Sequence, residues 1–267
     1  MESKRKPLLS TNNVKTMKGT KLGYMTYIMY LSPFTFNSKG INVCSHASKG
    51  CAEACLVGSG FGGRYTTVIE GRKKRTEYFL SSRIEFMYQL KAEIEKAIKK
   101  HKDKAIVTFR LNGTSDLPFE KYRVFDGKNI FEIFENVIFY DYTKNWVRFS
   151  NPLPPNYHLT FSRSETNHEK AMEILSKGYN VAMVMTKLIK NYKGYNVVDG
   201  DLTDLRHLDP KGVVVSLRYK KLTGKNADNT KAIKSGFVIN TNVEHTMERY
   251  SEVINRVISN VKTLELV

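Results

Sequence analysis

Six short apolar segments constrain the fold of this chain more than any other feature. They are residues 23–31, 105–111, 137–142, 157–161, 180–185 and 213–217. Short apolar runs rich in β-branched and aromatic residues are typical of strands buried on both faces. Helical or long connections separate these segments, and that alternation is typical of parallel sheets. The sequence therefore predicts an α/β fold, with helices outside a parallel sheet.

Strong curvature of such a sheet would give a partial (βα)6, TIM-barrel-like fold. The length of 267 residues suits this prediction, because α/β barrels commonly use about 250 residues as one domain. Neither an internal repeat nor an interdomain linker is visible in the sequence. We therefore expect a single barrel-like domain over residues 22–267. Residues 1–21 carry six basic groups against one acid and are predicted to be a basic N-terminal arm.

Helical periods connect several of the strands. Helices are predicted at residues 65–79, from Ser82 onward, near 129–134, at 167–177 and from Thr241 onward. Three of them begin with capping-box spacing: Ser82 with Glu85, Thr166 with Glu169, and Thr241 with Glu244. The second helix has an apolar stripe that should face the core. Its members are Ile84, Met87, Leu90, Ile94 and Ile98.

The charge balance restricts the class of partner. Lys and Arg number 43 against 26 Asp and Glu, which gives a formal net charge of +17. Such an excess favours an anionic partner, namely a nucleotide or a nucleic acid, although a solvated basic surface is the alternative. No apolar run is long enough for a membrane span, and the N-terminus lacks a signal-peptide core. We expect a cytoplasmic protein that does not associate with membranes.

All three cysteines lie close together, directly after the first predicted strand. Cys44, Cys51 and Cys55 have the spacing Cys-x6-Cys-x3-Cys. Clustered thiols in a cytosolic protein more often bind metal or react than form disulfides. Three thiolates could bind three irons of a [4Fe–4S] cluster and leave the fourth iron open. With His46 they could instead form a closed Cys3His zinc site, and three buried, unligated thiols are the third interpretation.

Polar residues follow the other predicted strands, where parallel α/β folds place their active sites. Those predicted to bind a cofactor are Asn112, Gly113, Asp116, Ser162 and Arg163. Those predicted to bind substrate are Lys144, Asp201, Asp204 and Arg206. Structural alternatives remain open for three of these residues. Asp116 could cap a turn, Arg163 could pair with Glu165, and Asp204 could form a turn with Arg206.

The cysteine loop resembles that of radical S-adenosylmethionine enzymes. In that family the loop follows the first strand of a six-stranded partial barrel, and the open iron binds S-adenosylmethionine. The usual family spacing is Cys-x3-Cys-x2-Cys, whereas this chain has the longer spacing given above. The resemblance implies a [4Fe–4S] cluster, S-adenosylmethionine as cofactor and a radical-SAM-like fold. A glycine turn with Gly58, Gly60 and Gly63 follows the cysteines and would let the backbone pass close to such a group.

The chain also resembles the bacteriophage "gene product 88" family. The segments that carry this resemblance are 44–56, 110–116, 139–144, 156–165 and 199–210. It implies a phage or prophage origin and a protein that works in the host cytoplasm. We therefore expect an iron–sulfur enzyme that modifies a nucleotide or nucleic acid. The alternative is a non-enzymatic nucleic-acid-binding protein of phage replication, with structural zinc or no metal at the cysteines.

Overall fold

The computed structural model describes residues 6–11, 13–55, 65–221 and 228–242. Its strands are β1 (Leu9–Ser10), β2 (Tyr24–Met29), β3 (Ile106–Arg110), β4 (Ile138–Thr143), β5 (Tyr157–Ser162), β6 (Val181–Met185), β7 (Asn191–Tyr192), β8 (Tyr195–Asp199) and β9 (Val214–Arg218). They form one nine-stranded sheet in the order β1-β2-β3-β4-β5-β6-β9-β8-β7. Across the described ranges, the edge strands β1 and β7 do not pair with each other, so the sheet is open.

The six strands predicted from sequence form the centre of this sheet. Strands β2, β3, β4, β5, β6 and β9 are parallel and lie side by side in chain order. The prediction of an α/β fold with these six strands is confirmed. The sequence did not predict β1, β7 or β8. Strands β1 and β7 have only two residues each, which is too short for an apolar period. Strand β8 lies next to the edge strand β7, has no buried residue and includes the polar Asn196 and Asp199, so it lacks a continuous apolar run.

One side of the sheet, which we call the helix face, packs against the two longest helices of the described ranges. These helices are Thr66–Ser81 and Arg83–His101. Met29, Phe109 and Phe139 on three adjacent strands meet helix residues in one buried core. The ring centroids of Phe109 and Phe139 lie 5.6 Å apart. The helix residues in that core include Phe79, Phe86, Met87, Leu90 and Ile94.

The opposite side, which we call the polar face, carries hydroxyl and charged groups. Its strand residues include Thr26, Thr108, Arg110, Tyr140 and Tyr142. Thr26 Oγ1 lies 2.8 Å from Thr108 Oγ1 and 3.1 Å from the Tyr140 hydroxyl. The chain from 199 to 209 covers this face, with the ring of His207 centred 5.4 Å from that of Tyr140. Arg110 is the last residue of β3, and Tyr142 is next to the end of β4, so the polar face extends to the carboxyl ends of these strands.

Four of the five predicted helices are confirmed, with corrections at their ends. The shorter helices are Val14–Met17, Lys49–Glu53, Ile130–Ile133, His168–Ser176 and Lys231–Lys234. Ile84 is 61% exposed, so its place in the predicted apolar stripe is wrong, and Phe86 is buried instead. Ser82 and Asn167 are N-caps without a side-chain capping bond, so the capping boxes at Ser82 and Thr166 are wrong. The helix from Thr241 onward and the glycine turn lie largely outside the described residues.

A capping box does form at Asn129 and Glu132, where the sequence predicted only a weak helix. Its side chains cap a helix of one turn, which explains why no longer apolar period was visible. In the part of the chain that the structure describes, no helix combines the length and apolar character needed to span a membrane.

Candidate functional site at the carboxyl ends of the parallel strands

The loop after β2 carries the first cysteine to the loop after β3. The backbone N–H of Asp116 donates to the carbonyl of Val43 at 2.9 Å, and the Cys44 thiol lies 3.4 Å from the carbonyl oxygen of Thr114. The Thr114 hydroxyl donates to the carbonyl of Leu31. These contacts tie both ends of the segment before Cys44 to the second loop. They hold Cys44 at the carboxyl end of the sheet.

The second cysteine lies on the short helix Lys49–Glu53. Ser48 is the N-cap, and its hydroxyl oxygen accepts from the N–H of Cys51 at 3.1 Å. The Glu165 carboxylate, which follows β5, accepts from the Ser48 hydroxyl at 2.8 Å and from the N–H of Gly50 at 2.7 Å. The helix that carries Cys51 is thus bound to the carboxyl end of β5.

The three sulfurs are near enough for their charges to interact. Burial raises the pKa of the Cys44 thiol to about 12, although a backbone hydrogen bond with Phe34 opposes part of that shift. Negative charge at Cys55, Asp116 and Cys51 raises the pKa further. A bound cation would remove this repulsion, because metals bind thiolates and displace their protons. Thiolates are the ligand type that zinc sites and iron–sulfur clusters use, so the donor type suits a metal.

Donor type alone does not show whether the described side chains are arranged around a metal ion. Within residues 6–11, 13–55, 65–221 and 228–242, no three His, Cys, Asp or Glu side chains are arranged so that they could hold a metal ion. The imidazole of His46 is exposed, and its Nδ1 lies 3.0 Å from the Ser45 hydroxyl. The iron–sulfur and zinc interpretations both remain predictions.

The predicted cofactor-binding residues after β3 are engaged within the protein. The Asn112 side-chain oxygen accepts from the Ser115 hydroxyl and from the N–H of Leu117, both at 2.8 Å. A Cβ at Gly113 would lie 2.6 Å from the carbonyl oxygen of Met29, so only glycine allows this approach of the two loops. These two residues shape the turn after β3, and their role towards a cofactor remains a prediction.

Asp116 links the loops after β3 and β4. Its carboxylate accepts from the N–H of Lys144 at 2.8 Å and from Arg148 Nη1 at 3.2 Å. Arg148, which sequence reasoning missed, is 5% exposed and also binds Glu120 at 2.7 Å and the Tyr157 hydroxyl at 3.0 Å. Burial lowers the pKa of Arg148, but the facing oxygens outweigh this effect and raise it overall. Arg148 therefore holds the loops after β3 and β4 together at the carboxyl end of the sheet.

The predicted residues after β4 and β5 come together. Lys144 Nζ donates to the Ser162 hydroxyl at 2.6 Å and lies 5.9 Å from the centroid of the Phe237 ring. Arg163 Nη1 donates to the carbonyl of Phe237 at 3.0 Å and also to that of Gly236. Two cationic side chains thus lie at the edge of the sheet that carries the cysteine loop.

The predicted substrate residues Asp201, Asp204 and Arg206 lie around the polar face. Asp204 Oδ2 accepts from Arg110 Nη1 at 2.7 Å, and Lys15 Nζ lies 3.8 Å from Asp204 Oδ1. Arg206 Nη1 lies 3.2 Å from Asp209 Oδ2. Burial lowers the pKa of Arg72, and the charges of Tyr30 and Cys55 oppose that shift. The Arg72 guanidinium lies 5.2 Å from the centroid of the Tyr30 ring, and the Tyr30 hydroxyl accepts from Asn13 Nδ2 at 2.6 Å.

Sequence reasoning also missed Glu165 and Asp141. Glu165 was considered only as a partner for Arg163, although its position after a predicted strand was a usable signal. Asp141 is fully buried in β4 and accepts from the N–H groups of Leu111 and Asn112 at 3.2 and 2.9 Å. Burial is the main cause that raises the pKa of Asp141 to about 6. An acid inside an apolar strand gives no sequence signal for such a contact.

Comparison with known proteins bears on the family. The model of the family "Gene product 88" matches residues 5–241. The chain belongs to the gene product 88 family. This match confirms the resemblance to the gene product 88 family that the sequence segments indicated. The match includes all nine strands and the three cysteines of the gene product 88 chain. Searches of curated proteins and of solved structures found no match.

Proposed function

We propose that this gene product 88 protein is an iron–sulfur enzyme that resembles radical S-adenosylmethionine enzymes and modifies a nucleotide or nucleic acid in the host cytoplasm. One observation carries the proposal. The three thiols lie on the loop after the first of six parallel strands in chain order, and the charges of Cys51 and Cys55 act on Cys44. Active sites of parallel α/β folds lie at this end of the sheet. The sheet, open as it stands, would then be a partial barrel.

The donor chemistry favours a cluster of this kind. In a cubane each thiolate binds a different iron, so the three sulfurs need not share one metal ion. When bound, such a cluster with one open iron supplies reductive cleavage of S-adenosylmethionine. The loop after β3 and Glu165 would hold the thiols in place, and charged side chains at the same edge would orient the substrate. Lys144 and Arg163 would attract its anionic group, because both lie at the same edge of the sheet.

Metal analysis of anaerobically purified protein tests the proposal. We expect iron and sulfide with absorbance at about 400 nm, and we expect Cys51→Ala to lose both. The variant His46→Ala separates the two metals, because a Cys3His zinc site needs the imidazole and a three-cysteine cluster does not. Lys49→Ala, an exposed change three residues later, is the matched control. Zinc that disappears in His46→Ala would refute the iron–sulfur proposal.

A basic surface supports a second candidate, a non-enzymatic nucleic-acid-binding protein. Five exposed lysines cluster around the C-terminal end of the helix Arg83–His101. They are Lys96, Lys99, Lys100, Lys102 and Lys104. Contacts with phosphates would make the affinity for DNA or RNA fall steeply with salt. For this candidate we expect Lys99→Glu with Lys100→Glu to weaken binding and Cys51→Ala to leave it unchanged.

A further inference from the structure

The carboxylate of Glu165 forms the main polar contact between the cysteine-bearing helix and the sheet. It accepts from the N–H of Gly50 at 2.7 Å and from the Ser48 hydroxyl at 2.8 Å. The same hydroxyl oxygen accepts from the N–H of Cys51 at 3.1 Å. Hydrogen bonds to an ionised carboxylate are stronger than those between neutral groups. A chain of contacts therefore runs from the end of β5 to the backbone of Cys51.

The fit between this carboxylate and the helix is close. A Cβ at Gly50 would lie 2.8–2.9 Å from the carboxylate atoms of Glu165, so any larger residue would displace them. Gly50 is buried within the helix Lys49–Glu53. Glycine is unfavourable inside helices, and here its lack of a side chain makes room for Glu165. Gly50 therefore lowers the intrinsic stability of this short helix, and in return the Glu165 carboxylate can approach its backbone.

An apolar cluster supports the same helix. Cys51 and Ala54 pack against Ala232, Phe237 and Val238, and the helix itself contacts the helix Lys231–Lys234. A helix of five residues is too short to be stable alone. Its orientation, and with it the direction of the Cys51 thiol, must come from such tertiary contacts. Among these contacts, the hydrogen bonds of Glu165 fix the orientation of the helix, because hydrogen bonds depend on direction. Apolar packing restricts the orientation less strictly.

We propose that Glu165 is a positioning residue for the cysteine centre. It fixes the helix Lys49–Glu53 so that Cys51 faces the other two thiols before a metal binds. This inference rests on the proposed metal-binding role of the cysteines. Outer contacts that orient ligands typically change metal affinity by about 10–100-fold when they are removed. Glu165 acts through Ser48 and Gly50 and needs no contact with the metal.

The test compares Glu165→Ala, Glu165→Gln and the matched control Glu169→Ala, which removes an exposed carboxylate four residues later. Each full-length variant is reconstituted anaerobically with limiting iron and sulfide, and bound iron and absorbance are measured. We expect Glu165→Ala to bind iron about 10–100-fold more weakly and Glu169→Ala to match the wild type. Glu165→Gln should recover part of the loss, because its amide oxygen can still accept from Gly50. Wild-type loading in Glu165→Ala would overturn the proposal.

A second measurement separates this inference from the proposed function. In metal-free protein with Cys44→Ser and Cys55→Ser, the only remaining thiol is Cys51. We expect Glu165→Ala to raise its rate of reaction with an aromatic disulfide reagent several-fold, at an unchanged urea midpoint of unfolding. If the wild type binds no iron but this rate rises, the metal proposal fails and the positioning role stands. An unchanged rate in protein that binds no iron would refute the positioning role as well.

Discussion

Arg110 Nη1 lies 2.7 Å from Asp204 Oδ2, and the two side chains are 12% and 2% exposed. This ion pair joins β3 to the chain segment that covers the polar face. Lys15 adds a second cation 3.8 Å from the same carboxylate. Burial lowers the pKa of Arg110, but Asp204 and the nearby tyrosines raise it overall. The guanidinium therefore stays charged inside the protein.

Replacing Asp204 by Ala should destabilise the fold strongly. The change leaves Arg110 buried without its carboxylate, and breaking a buried pair from one side typically costs about 3–5 kcal/mol. Urea unfolding followed by circular dichroism measures the loss. Glu95→Ala, which breaks the exposed pair with Lys91, is the control and should change the free energy of unfolding very little. Equal effects of the two variants would contradict a structural role for Asp204.

Gly50→Ala should disturb the cysteine helix only while Glu165 is present. The added methyl group meets the Glu165 carboxylate at 2.8–2.9 Å, whereas in Glu165→Ala that space is open. We therefore expect Gly50→Ala to lower iron loading in the wild type and to have little further effect in Glu165→Ala. Metal loading of the four proteins in a double-mutant cycle gives this coupling. If the effects of the two substitutions on iron loading were additive, the methyl group would not act through a clash with Glu165.

Asp141 should make stability fall as the pH rises from about 4 to about 6. Its pKa is raised from 3.8 to about 6 in the folded protein, mainly by burial. The folded state therefore holds the proton where the unfolded state has lost it, and the difference amounts to about 3 kcal/mol. This contribution is complete below the unfolded pKa and is lost through the folded pKa. Urea unfolding at several pH values should show a more positive slope of stability against pH in Asp141→Asn than in the wild type.

His207 should act in the opposite direction. Burial, and then the charges of His158 and Arg206, lower the pKa of His207 to about 4. The unfolded state takes up the proton first, so the contribution of His207 is present above its ordinary pKa of about 6.5 and is lost as the pH falls to about 4. His207→Phe keeps a ring next to Tyr24 and Tyr140 without titrating. Its stability should fall less than that of the wild type between pH values of about 6.5 and 4. Chemical shifts of the His207 ring provide an independent check of the pKa.

The polar residues of the site show what sequence reasoning could reach. Parallel strands bring their carboxyl ends to one edge, so the positions of Cys44, Asp116, Lys144 and Ser162 along the chain were enough to predict that they meet. The order of the strands did not predict which side-chain atoms bind one another. Arg148 binds Asp116, 32 positions away, and Glu165 binds Ser48, 117 positions away, and no local pattern encodes such distances.

The sequence by itself determined the six central strands, the two long helices and the edge that carries the cysteines. Apolar periodicity is a local property, because burying a stripe or a face stabilises one helix or strand at a time. Only the tertiary structure decided that Glu165 binds the cysteine helix and that Asp204 is buried against Arg110. Such polar contacts depend on side-chain direction across separate elements, and a charged residue looks the same in the sequence whether it faces water or a buried partner.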